Sequence, residues 1–334
     1  MTTSVVLIGL GATGRAIASS LRRRDDIEII GAADSNPATA GEDLGTVLDE
    51  SEHGVTVVAS PSELPVADLA VIATTSDLRQ VAGTILPLLE LGYNVLSICE
   101  ELGYPWRSHP DIARRLDATA KAHGVTVAGG GANPGVLMDT LPLLLSTLTQ
   151  RARTVRIRRR TDMSPYSGIL PKFGLGLTVA DFDDARRRGD VVGHHGFAES
   201  IEALATGLGW RLDTIEIGEP TPGKVRASGQ ICAINHGARG LIDGEAVIDL
   251  EIMFALFDPS DDVSAGDEYQ IVGDDQTIDL RSDVGFDSFR STVAAAVNSA
   301  AAVVEAPPGL LSMGDLSARA IASKGRRTRL ATIH

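Results

Sequence analysis

The chain holds only two cysteines in 334 residues, Cys99 and Cys232, and neither has a CxxC partner. A disulfide framework and a thiolate zinc site are therefore both unsupported. Aromatic residues make up just 4%, so the core has to be built from Ala, Val, Leu and Ile. Cations are outnumbered, and a formal net charge of -14 argues against a nucleic-acid partner, because phosphate binding needs clustered positive charge. The two short basic runs, Arg22 to Arg24 and Arg156 with Arg158, Arg159 and Arg160, read as solvated faces or interface pairs. No apolar run approaches the roughly 20 residues of a membrane span. The longest candidate, 141–148, reads as a short buried helix. Met1-Thr2-Thr3 lacks the charged region of a secretory leader, and strand periodicity follows at once. These absences, with 43% hydrophobic and 22% charged residues, lead to the expectation of a cytoplasmic soluble protein without a membrane partner.

What is present is a regular alternation. Apolar runs at 4–9, 27–33, 55–59, 69–73, 94–99 and 125–128 read as buried parallel strands. Amphipathic stretches at 14–24, 78–91 and 110–123 read as the helices between them, which specifies a doubly wound α/β sheet. The pattern changes after residue 137. Strand candidates at 155–158, 224–234, 246–257 and 269–272 suggest a mostly antiparallel sheet in a second, α+β domain. A last helix is expected at 289–304, broken by Pro307-Pro308-Gly309, and a basic tail at 324–329 reads as exposed. The expected division is a dinucleotide-binding domain at 1–137, with 300–334 packing back on it, and a substrate and dimerisation domain at 138–299.

The first strand runs into Gly9-Leu10-Gly11-Ala12-Thr13-Gly14, and a helix follows. In a strand-turn-helix setting this spacing marks a pyrophosphate site. Gly9 allows the tight turn, Gly11 lets backbone approach the phosphates, and Gly14 permits close packing of helix on strand. The helix start at Ala12 and Thr13 offers free N–H groups and its positive dipole end. Asp34 ends the second strand, where a carboxylate accepts hydrogen bonds from the adenosine ribose and repels a 2′-phosphate. NAD is therefore favoured. Ser35 and Asn36 still offer donors, so NADP stays open. Thr74, Thr75 and Ser76 end the fourth strand and read equally as cofactor contacts or as turn and cap residues.

Further along, Cys99-Glu100-Glu101 with Tyr104-Pro105-Trp106 resembles a segment of the 2,4-diaminopentanoate dehydrogenases and the native amine dehydrogenases related to them. Gly131-Ala132-Asn133-Pro134-Gly135 with Met138-Asp139, Gly174 to Thr178, Gly193 to Ser200 and Pro307 to Leu316 resemble other segments of that family, in the family's order. The family shares a dihydrodipicolinate-reductase-like N-terminal domain. One departure stands out. His194-His195 is followed by Gly196-Phe197-Ala198-Glu199, without the lysine and threonine turn that holds a diacid, which argues against dihydrodipicolinate reduction.

The resemblance implies an NAD(P)-dependent amine dehydrogenase working through an iminium, with 2,4-diaminopentanoate dehydrogenase proper as the alternative. A cofactor-binding sensor that has lost catalysis is the reading from another class. Glu100 and Glu101 follow directly on the fifth strand, at the rim where doubly wound sheets bind ligands. A carboxylate there stabilises the developing cation and exchanges protons with amine and water. Strand alternation leaves open which glutamate faces inward; the resemblance favours Glu100. It also implies pocket roles for Ala132, Val136, Leu137 and Tyr166, hence a pocket without aromatic walls at the first three, and cofactor contact for Asn133. His195 is a further pocket candidate, and the His194-His195 pair without acidic or thiol neighbours implies no metal. The alternative reading needs a cation for a substrate carboxylate, with Lys172 and Arg160 as candidates. A homodimer through the second domain's sheet is implied by the same resemblance.

Overall fold

In the computed structural model the described residues are 2–258, 261 and 263–320, with only the backbone of 165–169. The apolar runs of the first half become β1 (Thr3–Ile8), β2 (Ile27–Ala33), β3 (Val57–Val58), β4 (Leu69–Ile72), β5 (Asn94–Ser97) and β6 (Thr126–Gly129). Every residue of β4 and β6 is buried, as strands covered on both faces require. Between the strands run α1 (Ala12–Arg22), α2 (Leu44–Val47), α3 (Leu78–Glu90) and α4 (Pro110–His123). Their boundaries follow local chemistry. Asp77 caps α3 by accepting from the backbone of Arg79 at 2.8 Å, and α4 ends on Gly124 at φ 70°, a left-handed cap that glycine adopts without strain.

The chain then builds α5 (Leu141–Ser146), β7 (Ala152–Asp162), α6 (Val179–Arg188), α7 (Phe197–Gly207), β8 (Thr214–Ile217), β9 (Thr221–Val225), β10 (Ile231–Ile242), β11 (Glu245–Ala255), β12 (Gly266–Gly273) and β13 (Thr277–Ser282). It returns through α8 (Ser288–Glu305) and β14 (Gly309–Leu311). The first sheet has the order β14-β6-β5-β4-β1-β2-β3 with all pairs parallel. The reversal between β1 and β4 opens a crevice at the carboxyl ends, where such sheets bind ligands. The second sheet runs β13-β12-β7-β11-β10-β8, with β9 also on β10, and only β7 and β11 are parallel neighbours. The return begins at Ser288, earlier than the expected residue 300: α8 lies against α1, and β14 pairs with β6 as the seventh strand.

Two sequence expectations change in detail. The strand expected at 224–234 is two strands, because Gly229 at φ 85° closes a turn in which Arg226 N–H donates to the Gln230 carbonyl at 2.8 Å. The segment 141–148 is not a buried helix: α5 stops at Ser146, and Leu144 and Leu148 are 64% and 60% exposed. Short or charged elements such as β8, β13 and α6 carry little apolar periodicity and were not legible. The tail at 324–329 lies outside the described residues. Among the described residues no helix is long and apolar enough to cross a membrane.

Candidate active site

At the first crossover the glycines are fixed by contact. Gly9 has φ 91°, and a Cβ there would sit 2.5 Å from the Ala73 carbonyl oxygen. A Cβ at Gly14 would sit 2.0 Å from the Gly9 carbonyl oxygen, so helix and turn meet only without a side chain. Gly11 differs, since a Cβ there would meet nothing within 4 Å. The first turn of α1 thus faces open space, with no side chain capping its N–H groups and no acidic residue in it. Asp34 is half-buried beside this turn. One of its oxygens accepts from Leu10 N–H at 2.5 Å and the other from Asn36 N–H at 2.8 Å, and each keeps a second lone pair. Ser35 and Thr74 are exposed alongside; Thr75 Oγ1 accepts weakly from Asp77 N–H at 3.3 Å, tying it to the start of α3.

Glu100 and Glu101 open a 3-10 turn just past β5, and they part company there. Glu101 accepts from Leu78 N–H at 2.8 Å and lies 3.1 Å from His109 Nε2, so it caps α3 and ties two loops together. Glu100 makes no side-chain hydrogen bond or ion pair among the described residues, and it lines a cavity of about 220 Å³ between the two sheets. Thr13 of the glycine turn lines the same cavity, as do Ala132 and Asn133.

The remaining pocket candidates fare unevenly. Val136 and Leu137 are not among the cavity's walls: Gly135 at φ 134° turns the chain away, and Leu137 is 4% exposed inside the protein. His195 is exposed, and its neighbour His194 lines the cavity instead. The side chain of Tyr166 lies outside the described residues. Tyr104 and Trp106 line a separate cavity with Gly135 and Asp139, so only Glu100 of that family-like segment reaches this one. The wall at Ala132 carries no aromatic ring, but elsewhere Phe173, Phe254 and Phe289 converge from three distant parts of the chain, with the Phe173 and Phe254 ring centroids 4.9 Å apart. Among the described residues no cluster of His, Cys, Asp or Glu has metal-binding geometry.

Sequence reasoning missed Arg159 and His236. Arg159 is buried on β7, its side chain 0% exposed, and bonds Asp267 through Nε at 2.8 Å. Its Nη2 donates to Asp267 at 3.4 Å and to the Phe286 carbonyl at 2.9 Å, and its Nη1 to Ser288 Oγ at 3.5 Å. With the Asn133 amide oriented to satisfy its neighbours, Nη1 also donates to that oxygen, while the amide nitrogen donates to the Ala132 carbonyl at 2.9 Å. All five donors of Arg159 are thereby used, and the guanidinium fastens the Asn133 turn to the second sheet. His236 sits behind His194: its Nδ1 accepts from His194 N–H at 2.8 Å and its Nε2 lies 2.8 Å from the Gly218 carbonyl, which fixes a neutral Nε2–H tautomer. Burial holds both histidines below their ordinary range, His194 down to about 3. Asp139, buried under the same turn, accepts from Gly135 N–H at 2.7 Å, and burial pushes its carboxyl up.

Comparison with known proteins adds independent findings. Residues 136–331 match the family model of the 2,4-diaminopentanoate dehydrogenase C-terminal domain. The 2,4-diaminopentanoate dehydrogenase of Acetoanaerobium sticklandii is 28% identical over 332 residues, which covers 93% of this chain and 92% of that one. The structure of an amine dehydrogenase from Mycobacterium smegmatis matches with a TM-score of 0.82 at 24% identity, covering 96% of this chain and 98% of the other. GenD2 from gentamicin A biosynthesis, solved in complex with NAD, matches with a TM-score of 0.50 at 16% identity, over 84% of this chain and 72% of that one.

Proposed function

This chain belongs to the 2,4-diaminopentanoate dehydrogenase family, and on that premise we propose that it is an NAD-dependent amine dehydrogenase interconverting an amine with a ketone or aldehyde and ammonia. The observation that carries the proposal is Glu100, a carboxylate without a protein partner among the described residues, on a cavity it shares with the start of α1.

The residues present fit a dinucleotide. The open face of Gly11, the uncapped N–H groups at Ala12 and Thr13, and the spare lone pairs of Asp34 would hold pyrophosphate and ribose. Asp34, which makes no ion pair among the described residues, favours NAD over NADP, as does the NAD held by GenD2. The nicotinamide supplies the hydride acceptor and donor when bound. Glu100 contributes a fixed negative charge that stabilises the substrate iminium, in a site partly screened from water. It also takes a proton from the substrate ammonium and releases it to solvent, and, ionised again, passes a proton from the attacking water to the departing amine as the imine hydrolyses. Arg159, through Asn133, holds the turn that carries Ala132 at the cavity wall.

The A. sticklandii relative favours a second reading, oxidation of 2,4-diaminopentanoate itself. That substrate brings a carboxylate. Lys172 is exposed and is not among the cavity's lining residues, Arg160 donates to the Ser264 carbonyl at 3.1 Å and pairs with Glu268, and Arg159 has no donor to spare. The amine reading without a carboxylate is therefore preferred. We also propose a division at residue 137 with the return to the first domain from Ser288, a homodimer through the second sheet, which light scattering checks, and a cytoplasmic setting.

The test is a spectrophotometric screen of NADH and NADPH oxidation with ammonia and a panel of carbonyls that includes 2-amino-4-oxopentanoate. Ammonia-dependent oxidation, faster with NADH and with uncharged ketones, is expected. Absence of ammonia dependence with every carbonyl would overturn the enzyme reading in favour of a sensor.

A further inference from the structure

The cavity wall furnished by the second sheet is not uniformly apolar. Thr161 on β7 is 6% exposed, and its Oγ1 has no hydrogen-bond partner among the described residues. His194 Nε2 is buried and likewise without a partner. Both residues line the cavity that holds Glu100, and both stand beside Phe254: Thr161 is its register partner across β7 and β11, and His194 packs with ring centroids 6.5 Å apart. Two buried polar atoms left unmade in one wall are costly in a folded protein unless something else completes them.

We propose that Thr161 and His194 form a subsite for a neutral hydroxyl group at the far end of the substrate, so that the preferred carbonyl partner is a hydroxyketone or hydroxyaldehyde. The proposal rests on the amine-dehydrogenase reading and deepens it. A hydroxyl both donates and accepts, and it therefore satisfies the threonine oxygen together with Nε2 in either histidine tautomer. A carboxylate fits poorly. His194 is held neutral through the working pH range, the donors of Arg159 are all engaged, and among the described residues no lysine or arginine lines the cavity. An alkyl end fits the phenylalanines but leaves both polar atoms unpaired. A site built to bond a hydroxyl rejects the analogue lacking it far more strongly than an apolar pocket rejects an added hydroxyl.

His236 is a positioning residue in this scheme. It holds the His194 backbone N–H at 2.8 Å, and Gly193 leaves it room, since a Cβ there would lie 2.1 Å from His236 Nδ1.

The experiment compares kcat/KM for ammonia-dependent NADH oxidation with matched methyl ketones ending in hydroxyl, methyl or carboxylate, on the parent, Thr161→Val and His194→Phe. The expected parent preference for hydroxyl over methyl is about 10-fold or more, falling by about 10-fold in each variant. Thr161→Val is also expected to unfold no earlier than the parent, because it removes an unpaired buried oxygen. A merely structural threonine would lower stability and leave the ratio unchanged. A parent ratio near one, a preference for the carboxylate, or a ratio untouched by both variants would overturn the subsite. If none of the ketones turns over, the amine reading fails instead. The same set is then compared by calorimetric binding, where equal affinity for the hydroxyl and methyl compounds overturns the subsite on its own.

Discussion

Arg159 and Asp267 form a buried ion pair between β7 and β12. The two side chains are 0% and 1% exposed and meet at 2.8 Å, with a second contact at 3.4 Å. Both charges have been taken out of water, and their mutual attraction with the surrounding hydrogen bonds offsets that cost. Removing one partner leaves the other charged and buried, a loss of about 3–5 kcal/mol. Asp267→Ala strands the guanidinium; Arg159→Met strands a carboxylate whose remaining bond is from Phe286 N–H at 2.6 Å. The double variant Arg159→Met/Asp267→Leu buries no charge and should recover most of the loss. Urea unfolding of the four proteins therefore gives a cycle in which each single change costs about 3–5 kcal/mol and the pair is non-additive by at least about 3. The double variant should still bind ketone less well than the parent, because Asn133 loses its anchor. Single losses below about 1 kcal/mol, or strict additivity, would show that the pair does not hold the buried charges in place.

Two further outcomes follow from burial. Burial pushes the Cys99 thiol up to about 12, so at pH 8 only about one part in 10⁴ is thiolate, and iodoacetamide should leave native activity intact and label it only after unfolding. For His194, burial lowers the folded value to about 3 from a usual 6.5. Between those limits the unfolded chain binds the extra proton, so stability falls as pH falls from 6.5 toward 3, by up to about 1.4 kcal/mol per pH unit. His194→Phe should flatten the drop in urea midpoint between pH 7 and pH 4.5; an unchanged slope would contradict burial as the cause.

The parts legible in the sequence are those set by short-range rules. The apolar runs of β1, β4 and β5 and the Gly9, Gly11, Gly14 spacing specify strand, turn and helix within a dozen residues, and Asp34 follows at the end of β2. Glu100 is legible as a residue at a strand end. That Glu101 turns away is not, because the reason lies in Leu78 and His109, remote in sequence. Arg159 does carry a signal in the sequence. Val155, Ile157, Arg159 and Thr161 share one face of a period-two strand, and a charge on the apolar face announces a buried partner. The three phenylalanines of the cavity come from an irregular segment, β11 and α8, so only the assembled fold brings them together. His194 rather than His195 faces the cavity because Gly196 turns at φ 96° beside Pro134, which no local pattern reveals.

Glu100 handles the proton and the charge, while Glu101 is structural. The most direct test is the single-turnover rate of ammonia-dependent NADH oxidation in Glu100→Gln and Glu101→Gln, with NADH affinity measured alongside. Glu100→Gln should keep NADH affinity and lose about 10²–10⁴ in rate, while Glu101→Gln loses stability and much less rate. A Glu100→Gln enzyme as fast as the parent, or a Glu101→Gln enzyme with the larger rate loss, would contradict the account.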